Sequence, residues 1–527
     1  MSPRHGGSIW LFLLLLTALG LVNSAGAGHP ADSEPVFNTA DALPLARHAR
    51  LLTLIPEDAL DYAMPLAQPG IRPIRYQSAL LHALPPGSHV RMPLSEALEI
   101  SLTHERTMRN SSGSRTWIGR LTGFPPIYRA IITDDGEHVH GRIMTPRGLY
   151  FLETVDGVQR LYNPRASGMQ VPPFVDDAIP PPYHLLEPED DVPPQAQSMP
   201  PSAASTEWAT VDLLIAYTPG MVTRYGAGLQ AHLDQLVAIA NQAYIDSLIY
   251  LRLRLVHTVQ VNYSETNTNF DALHDMTPAS TPTPASVAML SSLRDQYGAD
   301  LVALIRPFRV PEHMSCGNAW LLGWNLAGSL SQQWDAPYGY SVTSDGNDVN
   351  GSNWRCSDTT LAHELGHNMG SAHDRGNASI SGVFEYSYGH GVAESFGTIM
   401  SYIDPEVVRF SNPSINCNGQ PCGIAHPASN SADNARSINN IRFQLAAFRP
   451  TVVVDDPCAG DHLVLQNEAV IGFDGHEACR ITVGPDYTVN ATGNLNLRAG
   501  YRVTLKPGFV VRSGGAFTVE IDPNLTP

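Results

Sequence analysis

Residues 363–374 read His-Glu-Leu-Gly-His-Asn-Met-Gly-Ser-Ala-His-Asp. On a helix, side chains four positions apart share a face about 6 Å apart, so His363 and His367 can offer two imidazoles to one metal ion. Glycine takes positive φ without steric cost, so Gly370 can end that helix and turn the chain until His373 arrives from a loop as a third ligand. Three neutral imidazoles leave one position of a tetrahedral zinc open to water, whereas structural zinc is usually closed by four protein ligands, mostly thiolates. Zinc brings the pKa of such a water toward about 7, and Glu364, beside the first ligand, can take its proton and pass it to a leaving amine. The expected reaction is peptide-bond hydrolysis with no covalent intermediate. A binding protein that merely kept a zinc site would have no use for Glu364, which sets the two classes apart.

The elements around this motif follow from patterning. Cys356-Ser357-Asp358-Thr359-Thr360 places capping hydroxyls and a carboxylate just before Leu361, a helix start. Upstream, the apolar run Val211 to Tyr217 precedes Leu229, Leu233, Leu236, Val237, Ala240 and Tyr244 at helical spacing; alternation at Leu251 to Leu255, a helix near 286–297 and the apolar run Leu301 to Ile305 follow. Strand, helix and strand in this order predict an α/β layered domain over 208–450. Residues 28–172 alternate apolar and polar with turn signals such as Asp134-Asp135-Gly136, which predicts a β-rich domain. Residues 173–207 are dense in proline and acid, the composition of a solvated linker open to cleavage. In 455–527, Val483-Gly-Pro-Asp-Tyr-Thr-Val recurs 22 residues on as Leu505-Lys-Pro-Gly-Phe-Val-Val, which points to a small all-β repeat module, either spacer or binding module.

Composition bounds the rest. The 527 residues suggest about three domains, and 43% hydrophobic with 16% charged residues excludes a disordered chain. A formal charge of −18, with no dense Lys/Arg run, excludes nucleic acid as a partner. Arg4 and His5 before an apolar run from Ile9 to Val22, then Ala25-Gly26-Ala27, read as a signal peptide over 1–27 and hence secretion. That run is shorter than the roughly 20 residues of a membrane span. Six cysteines in an exported chain invite three disulfides; neighbourhood suggests Cys316 with Cys356, Cys417 with Cys422 and Cys458 with Cys479, out of fifteen possible pairings. Asp345 and Asp348, in a Gly/Asn-rich stretch without EF-hand spacing, leave two readings open, a calcium site or a turn. Partners are thus protein or peptide substrates, and oligomeric state is unreadable.

The zinc motif resembles that of the metzincin peptidases, whose zinc helix ends at the glycine and whose site rests on a methionine turn; the resemblance implies a mixed twisted sheet for 208–450. Thr398-Ile399-Met400-Ser401-Tyr402 matches that turn, so the resemblance implies Met400 packed beneath the ligands without binding metal. Asp374 resembles the reprolysin/adamalysin branch, where this aspartate ties the site to the turn. Tyr402 is similar instead to the astacin and serralysin tyrosine near zinc, and two readings stay open, oxyanion stabilisation or an ordinary buried tyrosine. Cys316-Gly317-Asn318-Ala319-Trp320-Leu321 resembles the edge strand along which substrate lies, with Asn318, Ala319 and Trp320 at its centre. Arg409-Phe410-Ser411-Asn412-Pro413 and Asp433-Asn434-Ala435-Arg436 look like bacterial reprolysin-like enzymes that include peptidyl-Asp endopeptidases. That implies a preference for bonds beside acidic residues, read by Arg375 or Arg409 unless these are structural. A proenzyme is expected, cut in the linker. No cysteine precedes Cys316, so a thiolate cannot block the zinc; a carboxylate can, as in astacins, with Asp190 and Asp191 as donors or as plain linker charge.

Overall fold

A computed structural model describes residues 50–55, 70–155, 157–173, 175–182, 206–280, 282–452 and 462–521. The signal-peptide expectation, Asp190, Asp191 and Cys458 fall outside these residues.

The N-terminal region is a nine-stranded antiparallel sheet. Strands Ile71–Tyr76, Val158–Tyr162, Gly148–Val155, Val139–Thr145, Arg129–Asp134, Arg115–Leu121, Leu98–Arg109 and His89–Ser95 lie side by side in that order, with Leu52–Leu54 at the outer edge of the first. Alternation produces it: along His89–Ser95, Val90, Met92 and Leu94 are buried while the residues between them are not. Its core gathers Val90, Met92, Trp117, Ile132, Ile143 and Leu161.

The central region is layered α/β. Strand Ala209–Tyr217 pairs in parallel with Leu251–Gln260 on one side and with Leu301–Pro307 on the other. Tyr340–Asp345 continues the sheet in parallel, and Gly317–Trp320 closes it antiparallel. Leu301–Pro307 is buried at every residue, as a strand covered on both faces must be. Helix Leu229–Asp246 lays Leu233, Leu236, Val237, Ala240 and Tyr244 into the same apolar core as the sheet and the zinc-motif helix Thr360–Asn368. Its opposite face, at Asp234, Ala238, Gln242 and Asp246, repeats every four residues and meets the N-terminal sheet.

Val175 to Pro182, which composition alone would place in solvated linker, does not run out into water. Asp177 and Ala178 are buried, and Ala178–Ile179 pairs in parallel with Ala319–Trp320, adding a sixth strand to the central sheet. At the other end of the chain, strands His462–Leu465, Phe473–Val483, Asn494–Leu505 and Ala516–Ile521 stack in parallel, and Glu468–Val470, Tyr487–Val489 and Phe509–Val511 form a second parallel stack. Val483 lies opposite Leu505, and Leu497 opposite Val519.

Cys316 is bonded to Cys356 and Cys417 to Cys422, with Cα separations of 5.4 and 5.0 Å. Cys479 is disulfide-bonded as well. The first of these bridges ties the residue that precedes the edge strand to the segment that leads into the zinc-motif helix.

Candidate metal centre

The helix Thr360–Asn368 presents His363 and His367 on one face, and the chain then turns at Gly370, where φ is +74°. A side chain at Gly370 would run into Val383, so the turn needs glycine for space as well as for its backbone angle. The turn delivers His373, on the short strand Ala372–Asp374, to the same point. His363 Nε2 stands 3.2 Å from His367 Nε2 and 3.3 Å from His373 Nε2. Four ligands at 2.0–2.1 Å around a tetrahedral zinc are about 3.3–3.4 Å apart, so the imidazoles have the spacing that zinc requires.

The far nitrogens are fixed by carbonyls. His363 Nδ1 lies 2.7 Å from Ile399 O and His367 Nδ1 2.8 Å from Ser371 O. With Nδ1–H donating to those oxygens, each Nε2 lone pair faces the centre, as metal ligation demands. Ile399 belongs to the methionine turn, and Met400, fully buried, packs its sulfur against Gly366 so closely that a Cβ there would overlap it. Asp374 turns the other way: its carboxylate accepts from Gly376 N at 3.0 Å, Asn377 Nδ2 at 2.8 Å and Tyr402 N at 3.2 Å. It therefore links the third histidine to the methionine turn.

The helix start is not capped as the sequence suggested. Thr359 makes no side-chain cap, and the Asp358 carboxylate pairs with the Arg142 guanidinium of the N-terminal sheet. A longer-range charge has outcompeted the local hydrogen bond.

The fourth corner is Asp177. Its Oδ1 lies 2.8 Å from His373 Nε2, 3.2 Å from His367 Nε2 and 3.5 Å from His363 Nε2, while Oδ2 accepts a 2.7 Å hydrogen bond from the Tyr402 hydroxyl. Neighbouring Asp176 Oδ1 stands 3.5 Å from His373 Nδ1. The four side chains are all buried and their ligand atoms fall within 4.8 Å of one another. Burial would raise the Asp177 carboxyl, but the charges of His363 and His373 and hydrogen bonds from His363 and His367 outweigh it and hold it well below the usual carboxylate range. Burial, and then the charge on Asp177, push the Tyr402 hydroxyl well above its ordinary value.

Glu364 is fully buried beside this cluster, and neither carboxylate oxygen has a hydrogen-bond partner among the described residues. Burial first, and Asp177 second, raise it well above the ordinary range. Its carboxylate fills the space above Gly317, where any Cβ would overlap it. Gly317 is a residue that sequence spacing could not single out, although it stands in the edge-strand motif. Along that strand, Ala319 N donates to Asp177 O at 3.1 Å and Leu321 N to Ile179 O at 2.8 Å, so the expected substrate edge is covered by residues 177–179. Asn318 Nδ2 reaches Asp177 O at 3.4 Å, whereas the Trp320 ring is buried in the core with Nε1 donating to Thr277 Oγ1 at 2.9 Å.

Four sequence candidates are engaged elsewhere. Arg375 donates to the carbonyls of Ser431 and Glu385 and lies 3.9 Å from the Tyr388 ring centre; Arg409 donates to Asn416 O. Asp345 accepts from Tyr225 and pairs with His232 at 2.9 Å. Asp348 accepts from the backbone of Val310, Asn350 and Ser352, the pattern of a turn.

Residues 207–428 match the model of the reprolysin-like metallo-peptidases of family M12B, and residues 66–165 match that of the BamI lipocalin-like domain. The chain is 26% identical over 456 residues to a peptidyl-Asp metalloendopeptidase of Xanthomonas campestris pv. campestris, covering 82% of this chain and 99% of that protein. It is 31% identical over 274 residues to a peptidyl-Asp metalloendopeptidase of Pseudomonas aeruginosa, covering 48% and 42%. Among solved structures, metalloproteinase-II from Bacteroides fragilis aligns at 11% identity over 56% of this chain and 84% of that one, with a TM-score of 0.35.

Proposed function

The chain is a reprolysin-like metalloendopeptidase of family M12B, and on that premise we propose that it is a secreted proenzyme in which His363, His367 and His373 hold a catalytic zinc, Glu364 is the general base and Asp177 keeps the site closed. The observation that carries this reading is the tetrahedron of three imidazole nitrogens and one carboxylate oxygen, with an unpartnered glutamate at its side. Zinc bound there would polarise a substrate carbonyl and acidify a water.

The protein's own groups do the remaining work. Ile399 O and Ser371 O hold two imidazoles in the ligating tautomer. Glu364, buried and without another partner, takes a proton from the attacking water and returns it to the leaving nitrogen. Burial by itself raises its proton affinity above the ordinary carboxylate range, and withdrawal of the Asp177 charge lets it ionise more readily. Tyr402, whose hydroxyl now serves Asp177, is freed on activation to donate to the developing oxyanion.

Latency is assigned to Asp177; Asp190 and Asp191 lie outside the described residues. A carboxylate is a good zinc ligand, and the main-chain carbonyl of the same residue accepts from Ala319 N where Ala178–Ile179 lies along the edge strand. Cleavage in the linker, C-terminal to Pro182, separates that ligand from the catalytic domain covalently. The acidic bond preference in the relatives' names has no support at Arg375 or Arg409, both of which spend donors on backbone carbonyls.

The matured protein should hydrolyse casein, stop when a zinc chelator is added, and recover on zinc. Glu364→Ala should lower kcat by about 10³-fold or more while zinc content stays at one ion per chain. Undiminished proteolysis by that variant would remove Glu364 from the mechanism.

A further inference from the structure

The helix Leu229–Asp246 has two buried faces, and they differ in kind. The face toward the central sheet is apolar. The face toward the N-terminal sheet is polar at both ends and apolar in the middle. Asp234 accepts from Ser112 and, at 2.7 Å, from Ser114. Gln235 accepts from Thr133 at 2.7 Å and donates to Ile131 O at 2.9 Å. Ala238 and Ile239 pack on Ile118 and Ile131. Gln242 accepts from Arg106, and Asp246 from Arg129 at 2.9 Å.

An apolar centre ringed by hydrogen-bonded polar groups is how separable protein partners meet. A permanent interdomain core would be apolar throughout. The polar ring also means that this helix can face water when the sheet is gone. Other contacts extend the surface: Arg142 to Asp358, a strand-like exchange of Gln170 N to Asn353 O and Arg355 N to Gln170 O, each at 2.8 Å, and the Arg355 guanidinium 4.0 Å from the Phe151 ring centre. None of these contacts lies in the linker, so cutting the linker breaks none of them.

We infer that the excised N-terminal segment, residues 50–182, is itself a tight, reversible inhibitor of the mature enzyme, docking on the outer face of helix Leu229–Asp246 and placing Asp177 on the metal site. This rests on the proenzyme reading above and adds that linker cleavage alone does not activate. Affinity and inhibition are then separate properties: the sheet domain supplies the first and Asp177 the second. Activation requires the detached domain to dissociate or to be digested.

The test uses the full chain with a site-specific protease sequence inserted between residues 184 and 205. After complete cutting, the two pieces should co-elute at micromolar concentration, and hydrolysis of a short peptide should stay within about twofold of the uncut chain. Arg129→Glu, which turns the pair with Asp246 into a repulsion, and separately Gln242→Arg, which opposes Arg106, should each weaken the cut complex by about 10- to 100-fold and release activity on dilution. Asp177→Ala in the cut protein should still co-elute, with peptide hydrolysis switched on. Pieces that separate at once at micromolar concentration with full activity would overturn the inference. An uncut chain already as active as the separated enzyme would instead sink latency, and co-elution would still decide the docking.

Discussion

The two β-rich flanks of the catalytic region are built on opposite plans. The N-terminal sheet is antiparallel and shares its outer face with the catalytic domain, through Ile118 and Ile131 against Ala238 and Ile239. The C-terminal strands are parallel and stacked, with a core of their own from Ile481, Val483, Tyr487, Val489, Leu495 and Leu497. Among the described residues only the first sends chain into the metal centre, at Asp177, well past its last sheet residue Tyr162. Regular β packing stabilises a flank; under the proposed latency, one carboxylate carried into the cleft is what would let a flank control chemistry.

The sharpest way to break the contrast is Asp177→Ala in the uncut chain. If the N-terminal flank governs the site through this carboxylate, hydrolysis of a short peptide should rise by about 10-fold or more without any cleavage. An uncut variant as silent as its parent would show that the sheet blocks the cleft by bulk alone. On the other flank, Leu497→Ala should cost about 2–5 kcal/mol in the unfolding of the C-terminal stack, as buried leucine truncations do, and leave kcat and latency unchanged. A change in kcat would mean that this flank communicates with the site after all.

The smallest effect concerns the exit toward the C-terminal flank. Buried Asp300 accepts from Asp212 N at 2.8 Å and Arg449 N at 3.0 Å. Burial raises its pKa to about 7, against the lowering effect of those two hydrogen bonds. A carboxyl raised on folding favours the folded state below its unfolded pKa, near 4, and loses that contribution as pH rises through the folded value. The parent should therefore lose stability between roughly pH 4 and 7 relative to Asp300→Asn, by a few kcal/mol at most. Thermal unfolding across that window checks it; parallel pH curves for the two proteins would refute the burial account.

Much of the metal centre was legible before any fold was known. His363, His367 and His373 are joined by a helical repeat and a single glycine turn, so local geometry suffices to bring them together. Met400 and Asp374 were readable through a motif with similar short reach. Glu364 was readable as the candidate base, but its depth of burial was not. The capping role expected of Asp358 failed because Arg142, 216 residues away, holds its carboxylate.

What the sequence alone determined, then, is whatever follows from spacing within a turn or two of chain: the histidine triad, the period-2 strands, the 22-residue repeat and the even cysteine count. Only the tertiary structure decided that Asp177 meets His367 and His373 across 190 and 196 residues, that Gly317 makes room for Glu364, and that one helix is buried on both faces. The physical reason is that propensity and periodicity are local. A buried carboxylate's partners are set by how whole layers pack, and an aspartate in a proline- and acid-rich stretch has the same composition whether water or a metal site receives it.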